Sequence, residues 1–154
     1  MSEDLSDFLK QKESKANEEQ VNWMKVKENY LNEVSIFFDT INNWIKNEVK
    51  QGLLKENKYK NSLQEYQIGT YQVDALGLQT KYGKAIRIEP VGANFMGVKG
   101  RIDIYLNNTR MDNPDYYVVL TDSGWRLVKN GQTVRNSTEF NQSAFTNILK
   151  EAFQ

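Results

Sequence analysis

The chain contains no cysteine and no histidine. The first absence excludes disulfides and every thiolate mechanism, and the second removes the commonest general base and transition-metal ligand. Hydrolysis by a Ser-His or Cys-His pair is closed to it, as are the usual nitrogen and sulfur zinc sites. Apolar runs extend for only a few residues, so no segment reads as a bilayer span. The opening Met1-Ser2-Glu3-Asp4 has neither the basic start nor the apolar stretch of a secretory signal, and the expectation is a cytoplasmic protein. Charge of one sign is lacking too: 20 basic and 20 acidic residues give a formal net charge of zero. Nucleic-acid binding by counterion release needs a basic face. The one Lys-rich stretch (Lys46, Lys50, Lys55, Lys58 and Lys60) reads instead as a solvated face near a helix end. Neither nucleic acid nor membrane is the expected partner.

What is present is a folded chain of one domain's length. Its 154 residues are 39% hydrophobic and 12% aromatic, and aromatics bury the large areas that offset chain entropy. Residues 1–16 read as a polar N-terminal segment, partly helical or mobile, with Leu5, Phe8 and Leu9 its large apolar side chains. Residues 17–154 read as a single α+β domain. Asn17 and Gln20 have the spacing of a helix cap and its reciprocal partner, and no Pro or Gly follows until Gly52. One helix is therefore expected from about Asn17, or slightly earlier, to Gln51, ended by a left-handed Gly52.

Inside that stretch Trp23-Met24, Tyr30-Leu31, Phe37-Phe38 and Trp44-Ile45 recur every seven residues, with Val34 and Ile41 between the later doublets. The stripe is broad enough to cover a sheet, wider than a coiled-coil seam needs. Thirty-five helical residues run about 52 Å, whereas five strands span only about 24 Å. Part of the stripe needs another cover. Either the Leu5, Phe8 and Leu9 segment folds back on it, or a second copy packs there through Trp23, Met24, Tyr30 and Leu31. The homodimer is the preferred expectation.

From Leu54 onward the pattern changes to alternation punctuated by turns. Strands are expected over 63–68, 72–81, 84–91, 101–107, 116–121 and 125–129, and Asn141 or Ser143 caps a last helix with Phe145, Ile148, Leu149, Ala152 and Phe153 on one face. The fold class is α+β: a long N-terminal amphipathic helix and a short C-terminal helix on an antiparallel meander of five to six strands. The Gly92–Gly100 stretch matches no phosphate-binding motif and reads as a hairpin loop, with Gly97 and Gly100 supplying positive φ.

One polar array carries potential chemistry. Arg87 and Glu89 share a face of their strand, as do Arg101 and Asp103 of the next, so pairing gathers four charges opposite the Ile-rich face. Cross-strand ion pairs on a solvated sheet are the plainer interpretation. The sharper one makes Glu89 and Asp103 acid/base or Mg²⁺-binding carboxylates, with Asp74 a third. No Glu-x-Lys follows Asp103, which weakens a nuclease reading. Tyr66, Tyr71, Tyr82, Tyr105, Tyr116, Tyr117 and Trp125 also fall on or beside strands and enrich the sheet in amphipathic rings.

The stretch Lys84 to Ile104, with Ile88-Glu89-Pro90-Val91-Gly92 and Gly100-Arg101-Ile102-Asp103, resembles the signature of a bacterial family of uncharacterised proteins. That resemblance implies no activity and directs attention to Gly92, Gly100, Arg101 and Asp103. The sequence nominates no catalytic residue, no metal-ligand set and no cofactor. The expected function is a non-enzymatic protein-interaction module. The alternative is a small-ligand-binding protein or carboxylate- or metal-dependent enzyme using the sheet face of Arg87, Glu89, Arg101, Asp103 and Tyr105.

Overall fold

The computed structural model describes residues 4–94, 97–107 and 113–154. Helix α1 spans Leu5–Trp44, 40 residues, about 60 Å at the α-helical rise. It starts well before Asn17 because Asp4 supplies the cap: its carboxylate accepts the Asp7 N–H at 2.8 Å. The Lys, Glu, Gln and Ala residues that follow are strong helix formers needing no apolar period. Leu5, Phe8 and Leu9 do not fold back; they continue the rod.

The expected single helix to Gln51 is interrupted at Ile45, and a short α2 covers Lys46–Lys50. It closes as anticipated. Gly52 has φ of 76°, its N–H reaches Val49 O at 3.0 Å, and Leu53 N–H reaches Glu48 O at 2.9 Å.

Among the described residues seven strands form one sheet, not five or six: β1 Lys55–Glu65, β2 Gly69–Gln79, β3 Ala85–Gly92, β4 Arg101–Leu106, β5 Tyr116–Thr121, β6 Gly124–Lys129 and β7 Thr138–Glu139. They lie in chain order and pair antiparallel throughout. β1 is an edge strand, so Lys55–Lys60 need not alternate with apolar residues, and two-residue β7 is too short to show a period. Helix α3, Gln142–Phe153, begins at Asn141, whose side chain accepts the Ala144 N–H at 2.9 Å.

The core follows from the alternation. Ile86, Ile88, Ile102, Ile104 and Val118 are buried against Tyr30, Val34, Phe37 and Ile41 of α1 and Phe145, Ile148 and Ala152 of α3. Each such side chain contributes about 1.5–3 kcal/mol by leaving water. Phe37, Trp44, Trp125, Phe140 and Phe145 close one end as a ring cluster with centroids 5.1–6.0 Å apart.

At the other end Tyr30 is wholly buried. Its hydroxyl donates to Arg101 O at 2.7 Å and accepts the Gly92 N–H at 3.2 Å. Gly100 was expected to supply a positive φ, but Gly97 does so and Gly100 does not. Instead a Cβ at Gly100 would lie 2.4 Å from the Tyr30 ring. Gly100 is needed for close approach.

Beyond Tyr30 the sheet ends and α1 goes on. Every residue from Asp4 to Asn22 is exposed. Among the described residues no helix is long and apolar enough to cross a membrane.

Gly100→Ala is expected to lower stability by about 1–3 kcal/mol through overpacking against Tyr30. Tyr30→Phe is expected to cost about as much, by stranding the buried Gly92 N–H. Urea midpoints for both variants and the parent chain check this; unchanged midpoints would show that the contact is slack.

Candidate functional site

Pairing of β3 with β4 sets Glu89 directly opposite Asp103 and Arg87 opposite Tyr105. The register brings Arg87, Glu89, Arg101, Asp103 and Tyr105 onto one face, but it puts the two carboxylates face to face. Ion pairs consequently run along each strand and not across, contrary to the sequence-based expectation. Arg87 Nη1 meets Glu89 Oε1 at 2.6 Å, and Arg101 Nε meets Asp103 Oδ1 at 2.6 Å. Each guanidinium also lies over a ring of the next strand, Arg87 over Tyr105 at 4.5 Å and Arg101 over Tyr117 at 4.1 Å.

This face is not washed by solvent. Asp103 is 6% exposed, and burial raises the proton affinity of its carboxyl, opposed by the Arg101 guanidinium beside it. All four carboxylate oxygens accept hydrogen bonds. Glu89 Oε1 takes Tyr59 Oη at 2.8 Å as well as Arg87, and Glu89 Oε2 takes Asn61 Nδ2 at 2.9 Å. Asp103 Oδ2 takes Tyr105 Oη at 3.3 Å, completing the set.

Tyr59 and Asn61 come from β1, two strands away, and reach Glu89 because of a gap. β2 pairs with β3 only over Leu76–Gln79. Consecutive buried Ala75 and Leu76 mark where β2 changes face: Tyr71, Val73 and Ala75 are buried before it, Leu76 and Leu78 after it. The distal β1–β2 hairpin leaves the ladder there.

Side chains bridge the opening. Glu65 accepts Tyr71 Oη at 2.5 Å and the N–H groups of Ala93 at 3.1 Å and Asn94 at 2.9 Å. A Cβ at Gly92 would lie 2.8 Å from Glu65 Oε1, so glycine admits the carboxylate. Glu65, Tyr59 and Asn61 were not among the candidate residues, and Tyr117 was named only as one of the rings on the strands. The shared parity of Tyr59, Asn61, Leu63 and Glu65 was the available signal.

Asp74 stands apart from the carboxylate pair, exposed and 3.8 Å from Lys60. Among the described residues no group of three or more carboxylates is placed to hold a metal ion. The lysines divide between α2 (Lys46, Lys50) and β1 (Lys55, Lys58, Lys60), with Glu56 4.0 Å from Lys58. The array is chemically a satisfied polar lattice that fastens β1, β3, β4 and β5.

The interface candidates separate. Tyr30 lies in the chain's own core and Leu31 packs half-buried against it. Trp23 is half-buried, and Met24 is 48% exposed. They differ because the sheet stops at Tyr30. N-terminal to them Leu5, Phe8 and Leu9 are 70%, 46% and 53% exposed.

Comparison of the chain with protein-family profiles, curated proteins and solved structures finds no match. The resemblance of Lys84–Ile104 gains no support from it.

Two expectations follow. Glu65→Ala is expected to cost about 2–3 kcal/mol, since it strands Tyr71 Oη and two backbone N–H groups, while Asp74→Ala moves stability by no more than about 0.5 kcal/mol. Chemical denaturation of the two variants distinguishes them.

The second concerns alkali. Burial raises the hydroxyl pKa of Tyr30, Tyr59, Tyr71, Tyr105 and Tyr116, the last two to about 12. The unfolded chain releases these protons near pH 10. The folded state therefore binds more protons above that point, and stability falls as pH rises. The five hydroxyls are expected to ionise in step with loss of the circular-dichroism signal above pH 10. Near-complete tyrosinate absorbance from a still-folded chain at pH 11 would contradict this.

Proposed function

We propose that this chain is a non-enzymatic protein-interaction module of the cytoplasm, and that its binding element is the projecting N-terminal half of α1. The observation that carries this is the exposure of Asp4–Asn22 together with the placement of Leu5, Phe8 and Leu9. Those three side chains fall at i, i+3 and i+4, on the helical face that continues through Ala16 and Trp23 to the buried Tyr30.

Most helical stability in a protein comes from packing of the apolar face. Among the described residues Leu5–Asn22 finds none and gains it from a partner helix or groove. The fixed base supplied by Tyr30 and the sheet lowers the ordering cost of such binding.

A second reading uses Glu89, Arg101 and Asp103 as a small-ligand or carboxylate-dependent catalytic face. The burial of Asp103 and the upward shift of its carboxyl speak for it. The prior engagement of all four carboxylate oxygens speaks against it, because a ligand must displace existing donors.

The test is photocrosslinking in cells that express the protein, with a benzophenone side chain at Leu9 or at Ile36. Ile36 is equally exposed, at 50%, but lies on the opposite side of α1. A protein adduct at Leu9 and none at Ile36 is expected. No adduct at Leu9, or equal yields at both, refutes the helix as the binding element.

A further inference from the structure

We propose that the occupant of the projecting half of α1 is a second copy of this chain, the two helices running antiparallel over Leu5–Val26; this rests on the helix reading above. The order of side chains along the stripe carries the inference. From the tip inward it presents Leu5, Phe8, Lys12, Ala16, Glu19, Trp23 and Val26. Turned end for end against itself, the pattern is self-complementary. Leu5 meets Val26, Phe8 meets Trp23 and Lys12 meets Glu19, each twice, as an isologous two-fold contact requires. Ala16 falls beside the axis, where a small side chain lets two helices approach. A parallel alignment instead sets Lys12 on Lys12 and Glu19 on Glu19, and like charges in register are unfavourable.

A second observation lies at the base of the rod. A cavity of about 540 Å³ opens there between α1 and residues that connect β3 to β4, lined by Trp23, Val26, Asn29, Ala93, Val98 and Lys99 among others. Leu5 and Val26 are about 32 Å apart along the helix. In the antiparallel pair the tip of one copy therefore arrives at the base cavity of the other, Leu5 and Phe8 meeting its apolar wall.

Charge agrees with that placement. The tip is acidic, with Asp4 and Asp7 in the first turn. The cavity is rimmed by Lys25 and Lys99, the latter also holding Asp122 at 2.6 Å. The acidic end of each helix thus meets the basic base of its partner.

Sedimentation equilibrium of the whole chain checks the assembly. Twice the 17.9 kDa chain mass is expected. Phe8→Glu is expected to give a monomer with unchanged circular dichroism in the strand region, since Phe8 touches nothing in the sheet. Lys12→Glu is expected to weaken the dimer about five- to tenfold, and Lys12→Glu with Glu19→Lys to restore it.

Direction is read from cysteines placed in a chain that otherwise has none. Ala16→Cys is expected to oxidise to a linked dimer, whereas Leu5→Cys is not, its two copies lying about 30 Å apart. Linking through Leu5→Cys with none through Ala16→Cys overturns the antiparallel arrangement. A monomer at submillimolar concentration overturns the second copy as occupant. In that event a Leu9 photoadduct to a different protein still upholds the helix as binding element, and absence of any adduct removes both.

Discussion

The seating of Tyr30, Val34, Phe37 and Ile41 in the isoleucine-lined face of the sheet is the contact on which the rest of the molecule depends. It fixes which part of a 40-residue helix belongs to the globular body and which part does not. Tyr30 is the boundary. Its ring fills the space that Gly100 leaves, and its hydroxyl joins the end of β3 to the start of β4 through Gly92 and Arg101. The same tyrosine therefore anchors the rod and ties Gly92 to Gly100 and Arg101. N-terminal to it Trp23 and Val26 are still partly covered, and from Asn22 outward the helix is exposed all round.

The sheet meets a comparable problem in its own plane. β2 leaves β3 after four paired residues, and the opening needs hydrogen-bond partners for the groups it exposes. Glu65 and Glu89 supply them, one binding the backbone of Ala93 and Asn94, the other drawing Tyr59 and Asn61 inward. Pro90 sits two residues past the last β2 pairing, where no ladder donor is required of it. Glu89, a candidate for catalysis on sequence grounds, thus has a mechanical task in the strands, as Glu65 has.

Much of the architecture was legible because burial imposes a period. The doublets at Tyr30-Leu31, Phe37-Phe38 and Trp44-Ile45 and the alternation in Ile86-Ile88 and Ile102-Ile104 are both signatures of one face turned to a core. Where no face is turned to a core, no period is written. Leu5–Asn22 is helical by residue propensity and the Asp4 cap alone, and β1 between Lys55 and Lys60 is a strand by pairing with β2 alone. For that reason β1 was placed too late, and residues 1–16 were left as partly helical or mobile. The direction of the ion pairs was hidden differently. It depends on whether Glu89 faces Asp103 or Arg101, a shift of register that alternation leaves open. The role of Gly100 was hidden because close approach and positive φ look alike in sequence.

Of the two rims of the sheet, one is the two-residue β7 and the other is β1, with Lys58 and Lys60 side chains 67% and 68% exposed. A second sheet approaching β1 would bring ammonium groups against its own, and β7 has too few free amides to template a neighbour. Main-chain zippering into fibrils or continuous ribbons is thereby blocked at both rims. The exposed apolar end of the helix is thus not joined by a second adhesive edge in the β-layer.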